Sequence, residues 1–135
     1  MLIDTLFEKV VALSKYVGRE QKDEKGQSMF ERLLVQDRDK PLIVQYMTEA
    51  ATDLDKALHA FGTLGITATE IGWTWNSEEY DMPAIMDNLL ELYLVDAAMS
   101  AWCQDKVAER AEYFGKVAAQ LAVGIPKTIF RTKPA

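Results

Sequence analysis

The stretch that most constrains the fold runs from Met82 to Trp102, with the sequence MPAIMDNLLELYLVDAAMSAW. From Leu89 onward its apolar run is interrupted only by Glu91, Asp96 and Ser100. A helix that buries one face shows a single apolar stripe, whereas a helix that is apolar nearly all round is packed on most of its sides. We therefore expect one central, largely buried helix with the other segments packed around it.

Three further segments have the periodicity of amphipathic helices. Apolar residues recur at three- and four-residue spacing through Leu2–Val17, and Gly18 is a natural stop for that helix. A second helix is predicted from an Asp39 cap to Phe61, and a last helix over Lys106–Val123. Together with the central helix, these segments predict a bundle of about four helices.

The hydrophobic period changes between Gly65 and Asn76. Ile71, Trp73 and Trp75 alternate with smaller or polar residues, which predicts a strand or one half of a hairpin. The run Met29–Val35 is compatible with either a short strand or a helical turn, because periodicity does not separate the two over so few residues. The predicted fold class is mainly α, a helical bundle with a small β strand or hairpin element.

The length of 135 residues predicts a single domain with its own core. We place that domain at residues 1–124 and a C-terminal tail at residues 125–135. The tail contains no acidic residue, and Phe130 is one of its apolar anchors. We expect a flexible or swapped arm that reaches an acidic neighbour. Its basic residues are Lys127, Arg131 and Lys133.

The chain carries a net charge of −6, which argues against a general surface for nucleic acid or for anionic membranes. No apolar run is long enough to predict a membrane span. The N-terminal sequence MLIDTLFEKVVAL has acidic residues and no basic start, so we do not expect a signal peptide. Cys103 is the only cysteine, which excludes an internal disulfide and fits a reducing compartment.

The sequence contains no constellation that predicts catalysis or metal binding. A metal site needs three or four converging ligands, and the single His59 and single Cys103 are far apart in the chain. An enzyme would need a pocket in which Asp96, His59 or the carboxylates of Glu78–Asp81 converge with shifted pKa values. We predict no catalytic residue, no cofactor and no small-molecule substrate.

Asp96 is the most informative polar residue, because it lies midway along the apolar central helix. Burying an unpaired carboxylate is costly. We therefore expect it to reach a lysine, an arginine, a tyrosine or a backbone group, or else to line a contact between subunits.

Six residues are candidates for contact with a partner protein. Trp73, Trp75 and Tyr80 form an aromatic group of the kind enriched at binding hot spots, although such groups also cover small cores. The tail adds two basic side chains and one aromatic side chain. These tail candidates are Lys127, Phe130 and Arg131.

The order of elements resembles that of the small helical head–tail connector (adaptor) proteins of tailed bacteriophages and prophages. The similar stretches are Asp39–Gly62, which runs through the pair Ala50 and Ala51, and the Pro-led apolar helix Met82–Trp102. The strand containing Trp73 and the long last helix are less typical of that family.

The resemblance implies a non-enzymatic subunit that assembles into rings and contacts itself and the phage portal or tail proteins. The contacts that it implies involve the charged loop Gly18–Ser28, the β element and the tail. It also implies a location in the bacterial cytoplasm or in the virion. The alternative is a stand-alone bacterial helical module for protein interaction or regulation.

Overall fold

The computed structural model describes residues 1–132 and confirms the mainly α fold class. The helices are α1 (Ile3–Glu20), α2 (Phe30–Leu33), α3 (Lys40–Leu58), α4 (Met86–Cys103) and α5 (Ala108–Gly124). The strands are β1 (Gly62–Ile66), β2 (Ile71–Trp75), β3 (Tyr80–Asp81) and β4 (Phe130–Arg131). Two 3-10 segments occupy Asp37–Asp39 and Ile125–Thr128.

Helix α4 is the central element, as its composition predicts. It packs against α1, α3 and α5, and residues such as Leu94 and Met99 are fully buried. Its two large polar-tipped aromatic residues bind backbone oxygens of neighbouring segments. The Tyr93 hydroxyl donates to the carbonyl of Ala50 at 3.0 Å, and the indole N–H of Trp102 donates to the carbonyl of Leu33 at 2.8 Å.

Helix α1 does not stop at Gly18, contrary to the sequence prediction. Gly18 is buried inside the helix, which continues to Glu20. A Cβ atom at this position would lie 3.0 Å from the Cα atom of Phe30. The glycine therefore serves close packing against the start of α2, and the ambiguous run that contains Phe30 forms a short helix rather than a strand.

The predicted β element is an antiparallel hairpin, in which β1 pairs with β2. The N-terminus adds to the outer edge of β2, because the N–H of Ile3 donates to the carbonyl of Thr69 and the N–H of Ile71 donates to the carbonyl of Met1. The register places Leu64 opposite Trp73, on the face that packs against the core.

Residues 125–132 are part of the packed domain rather than a separate arm. Ile125 and Ile129 are buried, and β4 pairs antiparallel with β3, with Arg131 opposite Tyr80. The sequence suggested a tail because the segment is short and basic. Its two isoleucines instead bury apolar area against the bundle, which favours the docked position. Lys133 and the two residues after it lie outside the described residues.

Candidate protein-interaction surface

One side of α4 is apolar and exposed to solvent. Leu89, Leu92 and Asp96 lie along one side of the helix, and Ile85, the residue just before α4, continues their four- and three-residue spacing. We call this row the α4 stripe. The side chains of Ile85 and Leu92 are 54% and 53% exposed, and that of Leu89 is partly buried.

Asp96 ends the α4 stripe and is partly buried rather than fully buried. Within residues 1–132 its carboxylate forms no ion pair, so a lysine or arginine partner, one of the expected alternatives, is not found there. Desolvation by burial raises the pKa of Asp96 from 3.8 to about 6. The carboxyl group is therefore more readily neutralised than an exposed aspartate, as suits a position in an apolar row.

The ion pair nearest in sequence to the stripe lies on another side of α4. Lys9 of α1 contacts Glu91 with 2.6 Å between the ammonium nitrogen and a carboxylate oxygen. Glu91 is therefore engaged with α1, whereas its neighbour Leu92 is exposed. The contrast shows that α1 covers one side of α4 and leaves the side of the stripe open.

The two tryptophans of the hairpin cover the core. The rings of Trp73 and Trp75 are stacked, with centroids 6.1 Å apart and an interplanar angle of 8°. The indole N–H of Trp73 donates to a carboxylate oxygen of Asp55 at 2.9 Å, which ties β2 to α3. Both side chains are partly buried against the core, so each offers only part of its surface to a partner.

Tyr80 has an aromatic partner of its own, Phe61. Its ring meets that of Phe61 edge-on, with centroids 4.9 Å apart. On the paired strand β4, Phe130 is 68% exposed and Arg131 is also exposed, as is Lys127 in the preceding turn. The tail candidates are therefore solvent-accessible, in contrast to the partly covered tryptophans.

The titratable residues that a catalytic or metal site would need are dispersed. His59 is exposed at the end of α3, where its Nδ1 atom lies 3.0 Å from the carbonyl oxygen of Lys56. Cys103 is buried at the end of α4, and desolvation raises the pKa of its thiol. Among residues 1–132 no group of three or more His, Cys, Asp or Glu side chains is placed to hold a metal ion.

No protein-family model, curated protein or solved structure matches this chain. In the part of the chain that the structure describes, no helix is both long enough and apolar enough to cross a membrane.

The α4 stripe is the surface that sequence reasoning missed. Its spacing is visible in the sequence as apolar residues at positions 85, 89 and 92. On a helix that is apolar nearly all round, however, every side carries such a row. Periodicity alone therefore does not tell which row the rest of the chain leaves uncovered.

Proposed function

We propose that this chain is a non-enzymatic assembly protein that acts through protein–protein contacts, of the phage or prophage head–tail connector type. The observation that supports a role in protein–protein contacts is the α4 stripe. Two of its three apolar side chains, those of Ile85 and Leu92, are about half exposed to solvent on the most apolar helix of the domain. Exposed contiguous apolar surface on such an element is typical of an interaction site. The connector type itself depends on the resemblance of Asp39–Gly62 and Met82–Trp102 to that family.

The proposed contact is self-association through the stripe. Covering the exposed half of Ile85 and of Leu92 contributes about 1 kcal/mol for each side chain. Association costs at least about 4 kcal/mol in lost translational and rotational freedom. The stripe is therefore the centre of a larger interface rather than the whole of it, and exposed residues of the tail, such as Phe130, are the proposed additional contacts.

The alternative is a stand-alone helical interaction module. The observation that favours it is the continuous core within one chain, to which α1, α3, α4, α5 and the hairpin all contribute. A domain with such a core does not need neighbouring subunits in order to fold.

Light scattering after size exclusion, over a concentration series, tests the proposal. The wild-type protein should grow in mass with concentration, and Leu92→Lys should weaken the association at least about tenfold, which corresponds to about 1.4 kcal/mol. Tyr16→Lys is the matched control, because Tyr16 is 61% exposed on α1 and is not part of the stripe.

The mass that is reached separates the two functions. A ring-sized oligomer supports the connector type, and a dimer supports the interaction module. A strict monomer at every concentration, or equal association of the wild type and Leu92→Lys, contradicts self-association through the stripe.

A further inference from the structure

A second open surface lies between α3 and α5, with α4 as its floor. Two cavities of about 510 Å³ and 190 Å³ adjoin there, since both are lined by Ala97 and Ala101 of α4. We call this surface the α3–α5 groove. Helices α3 and α5 each pack on α4, and the groove follows the strip of α4 between them.

The groove is deep along α4 because the residues that form its floor have small side chains. Ala97 and Ala101 are one helical turn apart and partly buried, so only methyl groups rise from this part of α4. At Gly115 even a Cβ atom would come within 3.0 Å of the Ser100 hydroxyl oxygen. A partner helix can therefore approach α4 closely along this line, with its own side chains filling the two cavities.

The two walls of the groove are acidic. Glu49 and Asp53 of α3 line one cavity, and Glu112 of α5 lines the other. No lysine, arginine or histidine is among the residues that line these two cavities. Charge complementarity therefore favours a cationic occupant.

Two tyrosine side chains line the groove, and their pKa values are raised first by desolvation and then by nearby carboxylates. Desolvation and then the nearby carboxylates of Asp105 and Glu49 raise the pKa of Tyr46. Desolvation and then Asp53 raise the pKa of Tyr93. A carboxylate that raises the pKa of a phenol disfavours a second negative charge at that place and favours a positive one.

The wall carboxylates have cationic neighbours that a partner can displace. Asp53 lies 3.4 Å from Lys56, and Glu112 lies 3.0 Å from Lys116, in each case measured between the carboxylate oxygen and the ammonium nitrogen. All four side chains are more than half exposed. Exposed pairs of this kind contribute little to stability, so their exchange for a partner's charges costs little.

We propose that the α3–α5 groove binds a helix of another protein that presents apolar side chains to Ala97 and Ala101 and lysine or arginine along its flanks. This site differs from the α4 stripe, whose residues do not line the groove. It also goes beyond self-association, because its occupant is a cationic helix of a different chain.

The test uses a synthetic helical peptide with leucine on one face and lysine on its flanks, and a matched peptide with glutamate in place of lysine. Fluorescence anisotropy at low salt should detect binding of the lysine peptide to the full chain and little binding of the glutamate peptide. Raising the salt concentration should weaken binding, because the attraction is electrostatic and exposed to solvent.

Two triple variants with the same change of charge localise the site. Combining Glu49→Gln, Asp53→Asn and Glu112→Gln should weaken binding by about tenfold, as three exposed charge pairs allow. The control triple removes three exposed carboxylates outside the groove, and it should bind within about twofold of the wild type. The control substitutions are Glu24→Gln, Glu31→Gln and Glu70→Gln.

A steric variant gives an independent readout. Ala97→Leu fills the groove from its floor without removing a charge, and it should also weaken binding while circular dichroism shows an unchanged fold. Three outcomes would overturn the proposal. They are equal weakening by both triple variants, binding of the glutamate peptide as tight as that of the lysine peptide, and unchanged binding by Ala97→Leu. Concentration-dependent NMR shifts at Ala97 and Ala101 in the protein alone would also overturn it, because the occupant would then be a second copy.

Discussion

The hydroxyl group of Ser14 joins α1 to the segment that follows α2 through two hydrogen bonds. It donates to the carbonyl of Val11 at 2.7 Å and accepts from the backbone N–H of Val35 at 2.9 Å. Ser14 is fully buried, with none of its surface exposed to solvent. Because Val35 is itself buried, the hydroxyl provides the acceptor that its N–H would otherwise lack.

Replacing Ser14 with alanine should therefore lower the free energy of unfolding by about 1–3 kcal/mol, since a buried backbone donor loses its partner. Urea denaturation monitored by circular dichroism measures the change. Thr52→Ala is the matched control, because the Thr52 hydroxyl also bonds a helix carbonyl, that of Thr48, but is exposed. Equal losses in the two variants would contradict the role assigned to Ser14.

Gly18 and Gly124 should respond to alanine in opposite directions. Gly18→Ala places a methyl group 3.0 Å from backbone of Phe30, so we expect a net loss of about 1–3 kcal/mol in the free energy of unfolding. At Gly124, at the end of α5, a Cβ atom has no neighbour within 4 Å, and alanine should stabilise the protein by about 0.4–1 kcal/mol. Thermal denaturation of both variants measures the difference. A stabilising Gly18→Ala would show that the approach of α2 is not tight.

Asp96 should make stability depend on pH in the mildly acidic range. Because burial raises its pKa in the folded state from 3.8 to about 6, the folded protein holds this proton more tightly than the unfolded chain. The stabilisation from the neutral carboxyl group is complete below about pH 4, declines as the pH rises, and is lost above about pH 6. A fully buried carboxyl group with this shift in pKa would contribute about 3 kcal/mol to the free energy of unfolding. Because Asp96 is partly accessible to solvent, we expect a contribution of about 1–2 kcal/mol.

Asp96→Asn should accordingly be about 1–2 kcal/mol more stable than the wild type at pH 7, and the difference should vanish below about pH 4. Urea denaturation at a series of pH values measures it. Glu70→Gln, which removes an exposed charge from the hairpin loop, controls for the change in net charge. A constant difference between Asp96→Asn and the wild type at all pH values would contradict the assignment.

Trp73→Phe should loosen the hairpin by removing the indole N–H that donates to Asp55. A hydrogen bond to a carboxylate contributes about 1.5–3 kcal/mol to the free energy of unfolding. Because this bond is partly exposed, we expect Trp73→Phe to lower the free energy of unfolding by an amount near the lower value. Amide hydrogen exchange in β1 and β2 and urea denaturation measure the effect. Trp75→Phe serves as the control, because within the described residues the Trp75 side chain stacks on Trp73 without such a bond. Equal effects of the two substitutions would contradict this account.

The four long helices and the central position of α4 were predictable because apolar periodicity is a local property. Leu94 and Met99 belong to a run that is apolar on every side, and a run of that kind is stable only when it is enclosed. The hairpin was predictable in the same way from the alternation of Ile71, Trp73 and Trp75. The prediction that α1 stops at Gly18 was wrong because glycine is a common stop signal within a local sequence. Here the glycine is instead required by close packing against Phe30, in another segment.

Tertiary structure alone decided which side of α4 stays open, what Trp73 binds and where residues 125–132 dock. Leu92 and Leu94 are both leucines of one helix, yet the first is 53% exposed and the second is fully buried. Their chemistry is identical, and only the placement of the neighbouring helices separates them. Sequence by itself thus determined the four long helices and the apolar character of α4. The open stripe and groove arise from contacts between residues far apart in the chain, which no local pattern records.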